Sequence, residues 1–343
     1  MPTRSPSPSA LARLDLSRFA GEVSWVLSPL SAITTAVTAR RMRRTGWACP
    51  VPVICVGNAT MGGAGKTTVT LDLATRLIAR GWRPHILLRG YGGSSRGVHR
   101  VQAGDTAALV GDEALLHVAI APTWVSADRA RGAQAAVAAG AEVVLMDDGL
   151  QNPGLQKRLS LLVIDGATGF GNGRVFPAGP LREPVAAAAS RCQAAVLIGP
   201  DATGARGKIP SGLPILCARL TPGPEAAALA GRPVLAFAGI AMPGKFFKTL
   251  AEAGANVVAR HPFADHHRYT RSELDKVLAE ADRLTAVPVT TAKDVVRLPP
   301  DIRARVQVLS VSLEWEDPGA PEALLRDAIN TWASEAMDRR NYA

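Results

Sequence analysis

An apolar run, Val51-Pro52-Val53-Ile54-Cys55-Val56, leads into Thr60-Met61-Gly62-Gly63-Ala64-Gly65-Lys66-Thr67 and then into a stretch of helical character that ends near Arg80. Strand, glycine-rich turn and helix in that order aim the free backbone N–H groups of a helix N-terminus at an anion. In such a loop Lys66 reaches the β- and γ-phosphates of a nucleotide and the Thr67 hydroxyl ligates Mg²⁺. The general pattern asks for Gly where this chain has Thr60. A glycine-rich turn can serve only to let a helix pack on a strand. The joint placement of Gly62, Gly63, Gly65, Lys66 and Thr67 goes beyond that need. The nucleotide-binding set expected here is Thr60, Met61, Gly62, Gly63, Ala64, Gly65, Lys66, Thr67 and Thr68.

The same loop serves kinases, ATPases, GTPases and metal-insertion chaperones, so the neighbouring motifs decide. The apolar strand Glu142-Val143-Val144-Leu145-Met146 runs into Asp147-Asp148-Gly149-Leu150-Gln151. A carboxylate at the C-terminal end of a buried strand is placed to face the ion that Thr67 also holds. Between the two motifs stands Gly111-Asp112-Glu113, followed by a helical stretch, where Asp112 taken alone reads as an N-cap. Downstream come Gly173-Arg174-Val175-Phe176-Pro177-Ala178-Gly179-Pro180-Leu181-Arg182-Glu183-Pro184, then Phe263-Ala264-Asp265-His266-His267-Arg268-Tyr269, then Thr290-Thr291-Ala292-Lys293-Asp294. No physical rule dictates that combination.

Together with Gly57-Asn58 and Arg89-Gly90-Tyr91, these blocks resemble the tetraacyldisaccharide 4'-kinases, the lipid A 4'-kinases of Gram-negative bacteria. The matching pieces run to about position 298, and Thr60 is also what that family shows in its loop. Residues 1–8, polar and proline-containing, have no counterpart in the resemblance. The resemblance implies that ATP donates its γ-phosphate to the 4'-hydroxyl of a tetraacylated glucosamine disaccharide 1-phosphate, with Mg²⁺ as cofactor. It implies an Asp–His pair beside the acceptor hydroxyl, carried here by Asp112 and His266. His266 is preferred to His267 because it directly follows Asp265. Catalysis is then expected from Asp112, His266 and Lys66, and Mg²⁺ contact from Thr67, Glu113, Asp147 and Asp148. Arg182, held in a stiff turn between Pro180 and Pro184, is expected to grip phosphate oxygens with its planar fork. Gln151 and Arg89 are further expected contacts to nucleotide or acceptor.

The rest of the chain reads as α/β. Apolar strands recur at 51–56, 85–88, 122–126, 142–146, 160–164 and 194–198, alternating with helices at 66–80 and 128–139, the pattern of a P-loop NTPase-type parallel sheet with helices on both faces. A Pro- and Gly-rich stretch at 221–233 breaks the rhythm. Beyond it, strands near 234–238, 256–260, 287–290 and 306–312 and helices near 243–253 and 271–284 indicate a second, smaller α/β domain. The expected division is a helical segment at 1–45, a kinase domain at 46–220, a linker at 221–233 and the smaller domain at 234–343. Asp112 and His266 then lie in different domains, and their approach gates the chemistry.

The 343 residues carry 39 Lys and Arg against 29 Asp and Glu, a net charge of +10 that suits an anionic partner. Basic residues interleaved with aromatics, the mark of a single-stranded nucleic-acid binder, are not evident. An Asn-Lys-x-Asp guanine reader is missing too, since Ala292-Lys293-Asp294 lacks both the Asn and the spacing. A regulatory or metal-chaperone P-loop GTPase or ATPase remains the alternative. Cys49, Cys55, Cys192 and Cys217 show no Cys-x-x-Cys spacing, the pattern of reduced thiols.

The charge gathers where Ser28-Pro29 caps a helix, Leu30, Ile33 and Val37 follow at helical spacing, and Arg40, Arg41, Arg43 and Arg44 close the segment, with Val23, Trp25, Val26 and Leu27 extending it upstream. The uncharged window falls short of the roughly 20 residues of a spanning helix. The segment reads as an interfacial helix on anionic lipid, peripheral on the cytoplasmic face of the inner membrane, or else as a helix packed on the core. No protein partner can be inferred from the sequence.

Overall fold

A computed structural model of the chain describes residues 26–341. Val23, Trp25 and the segment 1–8 lie outside the described residues. The chain forms α1 (Ser28–Met42), β1 (Val53–Gly57), α2 (Lys66–Ala79), β2 (Pro84–Leu88), β3 (Val98–Arg100), α3 (Ala107–Val110), α4 (Asp112–Val118), β4 (Thr123–Ser126), α5 (Arg129–Ala138), β5 (Val143–Asp147), β6 (Leu159–Asp165), α6 (Val185–Ala189), β7 (Ala194–Ile198) and β8 (Ile215–Pro222). A second group follows: β9 (Pro233–Ala238), α7 (Pro243–Glu252), β10 (Asn256–Pro262), α8 (Arg271–Arg283), β11 (Val287–Thr291), α9 (Ala292–Val295), α10 (Pro300–Arg303) and β12 (Gln307–Leu309). After it come β13 (Val311–Trp315) and α11 (Gly319–Asn341).

The larger sheet has nine strands in the order β13-β8-β7-β6-β1-β5-β2-β4-β3, and the smaller has four, in the order β10-β9-β11-β12. Strands β1, β2, β5, β6 and β7 are buried along their whole length, as near-continuous apolar runs in a parallel sheet must be. Alternate residues serve opposite faces. Ile54, Val56 and Leu145 meet Val69, Leu73 and Leu77 of α2 on one side, while Cys55, Val144 and Met146 meet Ala133 and Ala136 of α5 on the other. Each fully buried Val, Leu or Ile contributes about 1.5–3 kcal/mol relative to exposure. The chain order switches direction around β1, with β5 on one side and β6 on the other, which opens a crevice at the strands' C-terminal ends.

Several expectations change here. The sheet is parallel only in its interior, since β3 on β4 and β13 on β8 are antiparallel edges. The strand expected at 306–312 is two strands in different sheets, β12 and β13, parted at Ser310. The smaller sheet therefore ends at Leu309, and the stretch expected to continue that unit to 343 returns to the larger sheet. The physical reason is the outer edge of β8, whose backbone groups would otherwise go unpaired. β13 pairs with it from Val311↔Pro222 to Trp315↔Ala218, and α11 adds Leu325 and Ile329 to the core beneath α2. Trp315 Nε1 donates to Asp72 of α2 at 2.9 Å and Arg76 reaches Glu322 at 2.6 Å. The expected linker at 221–233 holds the end of β8 and a 3-10 turn, Pro224–Leu229. The two crossings between the sheets lie side by side: Gly223 N–H donates to Ser310 O at 2.9 Å, and the Glu225 carboxylate accepts from Ser310 N–H.

Helix α1 also differs in detail. Its N-cap position is Leu27 with no side-chain cap bond, and Ser28 stands inside the helix with its hydroxyl accepting from Arg174 at 2.7 Å. The helix docks through Ser31, whose Oγ donates to Val175 O at 2.7 Å and accepts from Ala178 N–H at 3.1 Å.

Candidate active site

Gly65 takes φ 86°, which only glycine adopts freely, and a Cβ there would meet Ile198 Cδ1 at 2.6 Å. Helix α2 starts immediately after it, so Lys66 and Thr67 occupy the first turn, both nearly buried. Lys66 Nζ lies 3.2 Å from Asn58 Oδ1 and 3.6 Å from Asp148 Oδ1. Asn58 in turn donates to Thr60 Oγ1 and Gly62 O across the loop. The loop is pinned from outside by the Gly-Pro-Leu-Arg-Glu-Pro block: Met61 N–H donates to Pro180 O and Arg182 N–H to Ala59 O, each at 2.7 Å. That pairing is what carries Arg182 to the site.

Strand β5 ends beside β1, with Asp147 in register with Val56, and delivers two carboxylates that turn apart. Thr67 Oγ1 lies 3.2 Å from Glu113 Oε1 and 3.3 Å from Asp147 Oδ2. Asp147 Oδ1, also buried, has no hydrogen-bond partner. Asp148 takes a left-handed backbone, φ 53°, and faces Arg182 Nη1 at 2.8 Å. Gln151 joins them, donating to Asn58 O at 2.9 Å and Glu183 at 2.8 Å and accepting from Arg182 at 3.4 Å. Two carboxylates, Glu113 and Asp147, meet at one hydroxyl, and Asp147 keeps an unpartnered buried oxygen, a hard-oxygen set that fits a small divalent cation completed by phosphates and water. Among the described residues no group of three or more His, Cys, Asp or Glu is arranged to hold a metal ion.

Gly111, at φ 86°, opens α4, and the first turn of that helix presents Asp112 and Glu113. Both are met by side chains of the smaller sheet's unit. Asp112 Oδ2 is 2.9 Å from His266 Nδ1 and 2.9 Å from Arg297 Nη2, and Glu113 Oε1 is 2.7 Å from Lys293 Nζ. Burial works against the Asp112 anion, yet the His266 hydrogen bond and the Arg297 charge outweigh it and hold the carboxyl down at about 2. The same bond raises the His266 pKa from its ordinary value, against partial burial. Burial works against the Lys293 cation too, and the Glu113 charge overcomes it. His266 sits at φ 57°, so two of the three non-glycine residues with positive φ among the described residues, Asp148 and His266, are in this site. Such backbone costs about 1–3 kcal/mol per residue and persists where the surroundings dictate it. His267 turns away to Glu273 at 3.1 Å.

The structure thus brings together the loop, Glu113, Asp147, Asp148, Gln151, Arg182, Asp112 and His266. Arg89, exposed past the end of β2, makes no hydrogen bond within this network. Four residues that sequence reasoning gave no role are part of the site: Asn58, His117, Lys293 and Arg297. Lys293 was visible in the Thr-Ala-Lys-Asp block, whereas Arg297 had no signal beyond lying one helical turn from Asp294, to which it is also paired at 3.2 Å. His117 is fully buried with Nε2 2.7 Å from Asp147 Oδ2.

Beside the site, Arg41 of α1 donates to Gln151 O at 2.7 Å, so α1 runs from the 174–178 loop to the edge of the crevice. Its outer face exposes Leu30, Ile33 and Val37, with Val26 just before it and Phe176 beside the docking point also open. Among the described residues no helix is long and apolar enough to cross a membrane.

Known proteins resemble the chain over most of its length. The family described as LpxK, Tetraacyldisaccharide-1-P 4'-kinase, matches residues 23–330. A protein of Gluconacetobacter diazotrophicus named Tetraacyldisaccharide 4'-kinase is 57% identical over 309 residues, covering 89% of this chain and 94% of its own. One of the same name from Rhodospirillum centenum is 55% identical over 311 residues, covering 90% and 92%. The crystal structure described as the "apo" form of LpxK from Aquifex aeolicus in complex with ATP superposes with a TM-score of 0.72 at 25% identity, over 90% of this chain and 99% of that one. With that fold and site behind the match, the chain belongs to the tetraacyldisaccharide 4'-kinase family, ATP-dependent phosphotransferases that act on a hydroxyl group.

Proposed function

We propose that this chain transfers the γ-phosphoryl group of ATP to the 4'-hydroxyl of a tetraacyldisaccharide 1-phosphate, with Asp112 and His266 acting as one unit on the hydroxyl proton. The observation that carries this is the contact between the two: a carboxylate from α4 and an imidazole from the smaller unit, 2.9 Å apart, one residue along the chain from the Glu113 that touches Thr67. An ionised Asp112 accepts, so His266 donates through Nδ1–H. Asp112 Oδ1 takes the Glu113 N–H at 3.0 Å and keeps a lone pair for the sugar hydroxyl. A carboxylate held near 2 is a weak base. It suits phosphoryl transfer, where the transition state is loose and the attacking hydroxyl gives up its proton late.

Lys66 is positioned to neutralise charge on the transferring group, and its Asn58 and Asp148 partners hold it there. Arg182 and Gln151, supported by Asp148 and Glu183, form a polar rim for the phosphates or the acceptor. The residues that would hold Mg²⁺ are Thr67 and Asp147, with Glu113 and Asp148 near its water shell. An ion held there would supply positive charge against the phosphate oxygens.

The acceptor is a lipid, and the exposed apolar stripe of α1, followed by Arg40, Arg41, Arg43 and Arg44, supports peripheral binding to an anionic membrane on the cytoplasmic face of the inner membrane. The decisive test incubates the purified chain with radiolabelled ATP and the disaccharide lipid in mixed micelles. Label at the 4' position is expected. Hydrolysis of ATP with no labelled lipid would instead favour the regulatory ATPase reading.

A further inference from the structure

Helix α4 carries a third polar side chain that the chemistry above leaves unused. Glu113 and His117 are four residues apart and therefore share a face of the helix, the face turned to the end of β5. His117 is wholly buried, and its Nε2 lies 2.7 Å from Asp147 Oδ2. In that contact the carboxylate oxygen accepts and Nε2–H donates. Nδ1 has no hydrogen-bond partner. Asp147 Oδ2 is thus engaged from two sides, by His117 and by the Thr67 hydroxyl, while Oδ1 has no partner. A residue kept here for packing alone would be apolar, because a buried ring nitrogen without a partner costs stability.

We propose that His117 is a positioning residue for the metal-bound nucleotide: by clamping Asp147 Oδ2 it leaves Oδ1 and the adjacent Thr67 hydroxyl as the oxygens available to Mg²⁺ and its waters, and so makes nucleotide binding metal-dependent. The inference rests on the reading of Thr67 and Asp147 as Mg²⁺-facing groups. Outer partners of this kind fix the orientation of a liganding side chain without touching the ion.

The test is calorimetric titration of the full chain with a non-hydrolysable ATP analogue, without lipid, once in Mg²⁺ and once in EDTA. His117→Met is expected to weaken binding about 10- to 100-fold in Mg²⁺ and to leave binding in EDTA unchanged. His117→Gln, whose amide N–H reaches the same acceptor, should regain most of the loss. His117→Asn, which is too short, should not. Should the Met variant fail to fold by near-ultraviolet circular dichroism, the Gln and Asn pair carries the comparison. Wild-type binding by the Met or Asn variant in Mg²⁺, an equal loss with and without metal, or a Gln variant as poor as Asn overturns the proposal. Asp147→Asn separates the two levels. If it too leaves the metal dependence intact, the Mg²⁺ reading itself fails, whereas loss in Asp147→Asn with none in His117→Met removes only the role of His117.

Discussion

At the scale of single residues, the site is a set of charges that are each answered from a different part of the chain. Lys66 is the cation nearest the phosphate loop's own backbone, so Lys66→Ala should nearly abolish phosphoryl transfer, which a single-turnover assay with labelled ATP will register. Asp112→Asn and His266→Ala should each lower kcat by about 10²- to 10⁴-fold. If the two side chains work as a unit, the double variant will be little slower than the worse single one, and additive losses would show independent roles. The pair also makes a spectroscopic prediction. His266 owes its raised pKa first to the Asp112 hydrogen bond, with burial pulling the other way. Replacing that charged acceptor by a neutral amide in Asp112→Asn should move the imidazole titration down, toward its ordinary value, in a histidine NMR titration. An unmoved titration would mean that the bond is not formed in solution.

At the scale of elements, α1 separates surface chemistry from stability. Its apolar residues are open while its anchorage runs through Ser31 and Arg174. Ile33→Glu with Val37→Glu should therefore change the unfolding free energy by no more than surface substitutions do, about 0.5 kcal/mol, and strongly reduce sedimentation with anionic vesicles. Replacing Arg40, Arg41, Arg43 and Arg44 by Gln should release the protein at lower salt, at about 1 kcal/mol per charge. Insensitivity of vesicle binding to both sets would place the lipid contact elsewhere. The element scale is also where the sequence was most and least legible. The strand, loop and helix from Val53 to Ala79 were plain because glycine spacing and apolar periodicity are local signals. The edge strand β3 was too short and too exposed to show a period. The return of β13 to the larger sheet depends on an unpaired edge of β8, and nothing between Gln307 and Trp315 announces which sheet each half joins. In the site, Asp112 and Glu113 were visible as residues next to a glycine. Arg297 was not, because its significance lies only in being folded against a carboxylate 185 positions away.

At the scale of the whole molecule, polar contacts join the smaller unit to the larger one, the Asp112–His266 pair among them. Asp112 and Glu113 meet Arg297 and Lys293 inside the site, and outside it Lys245 Nζ contacts both oxygens of Asp165 at 2.7 and 2.6 Å while Arg268 donates to Gly92 O at 3.3 Å. The outer pair should tune approach without touching the chemistry. Lys245→Ala combined with Arg268→Ala is expected to lower kcat several-fold, on the order of 1 kcal/mol, while nucleotide affinity, measured by calorimetry, stays as in the wild type. A fall in nucleotide affinity would mean that the units are coupled through the loop itself. The side-by-side crossings at Gly223 and Ser310 carry the remaining consequence. Because the chain leaves and re-enters the larger sheet at a single doorway, the four-stranded unit is an inserted cassette, and the nine-stranded sheet is contiguous without it. Excising residues 224–309 and closing the gap with a short linker should leave a scaffold that still grips nucleotide yet has lost His266, Lys293 and Arg297 together, so that holding the donor and using it become properties of two separable pieces of one gene product.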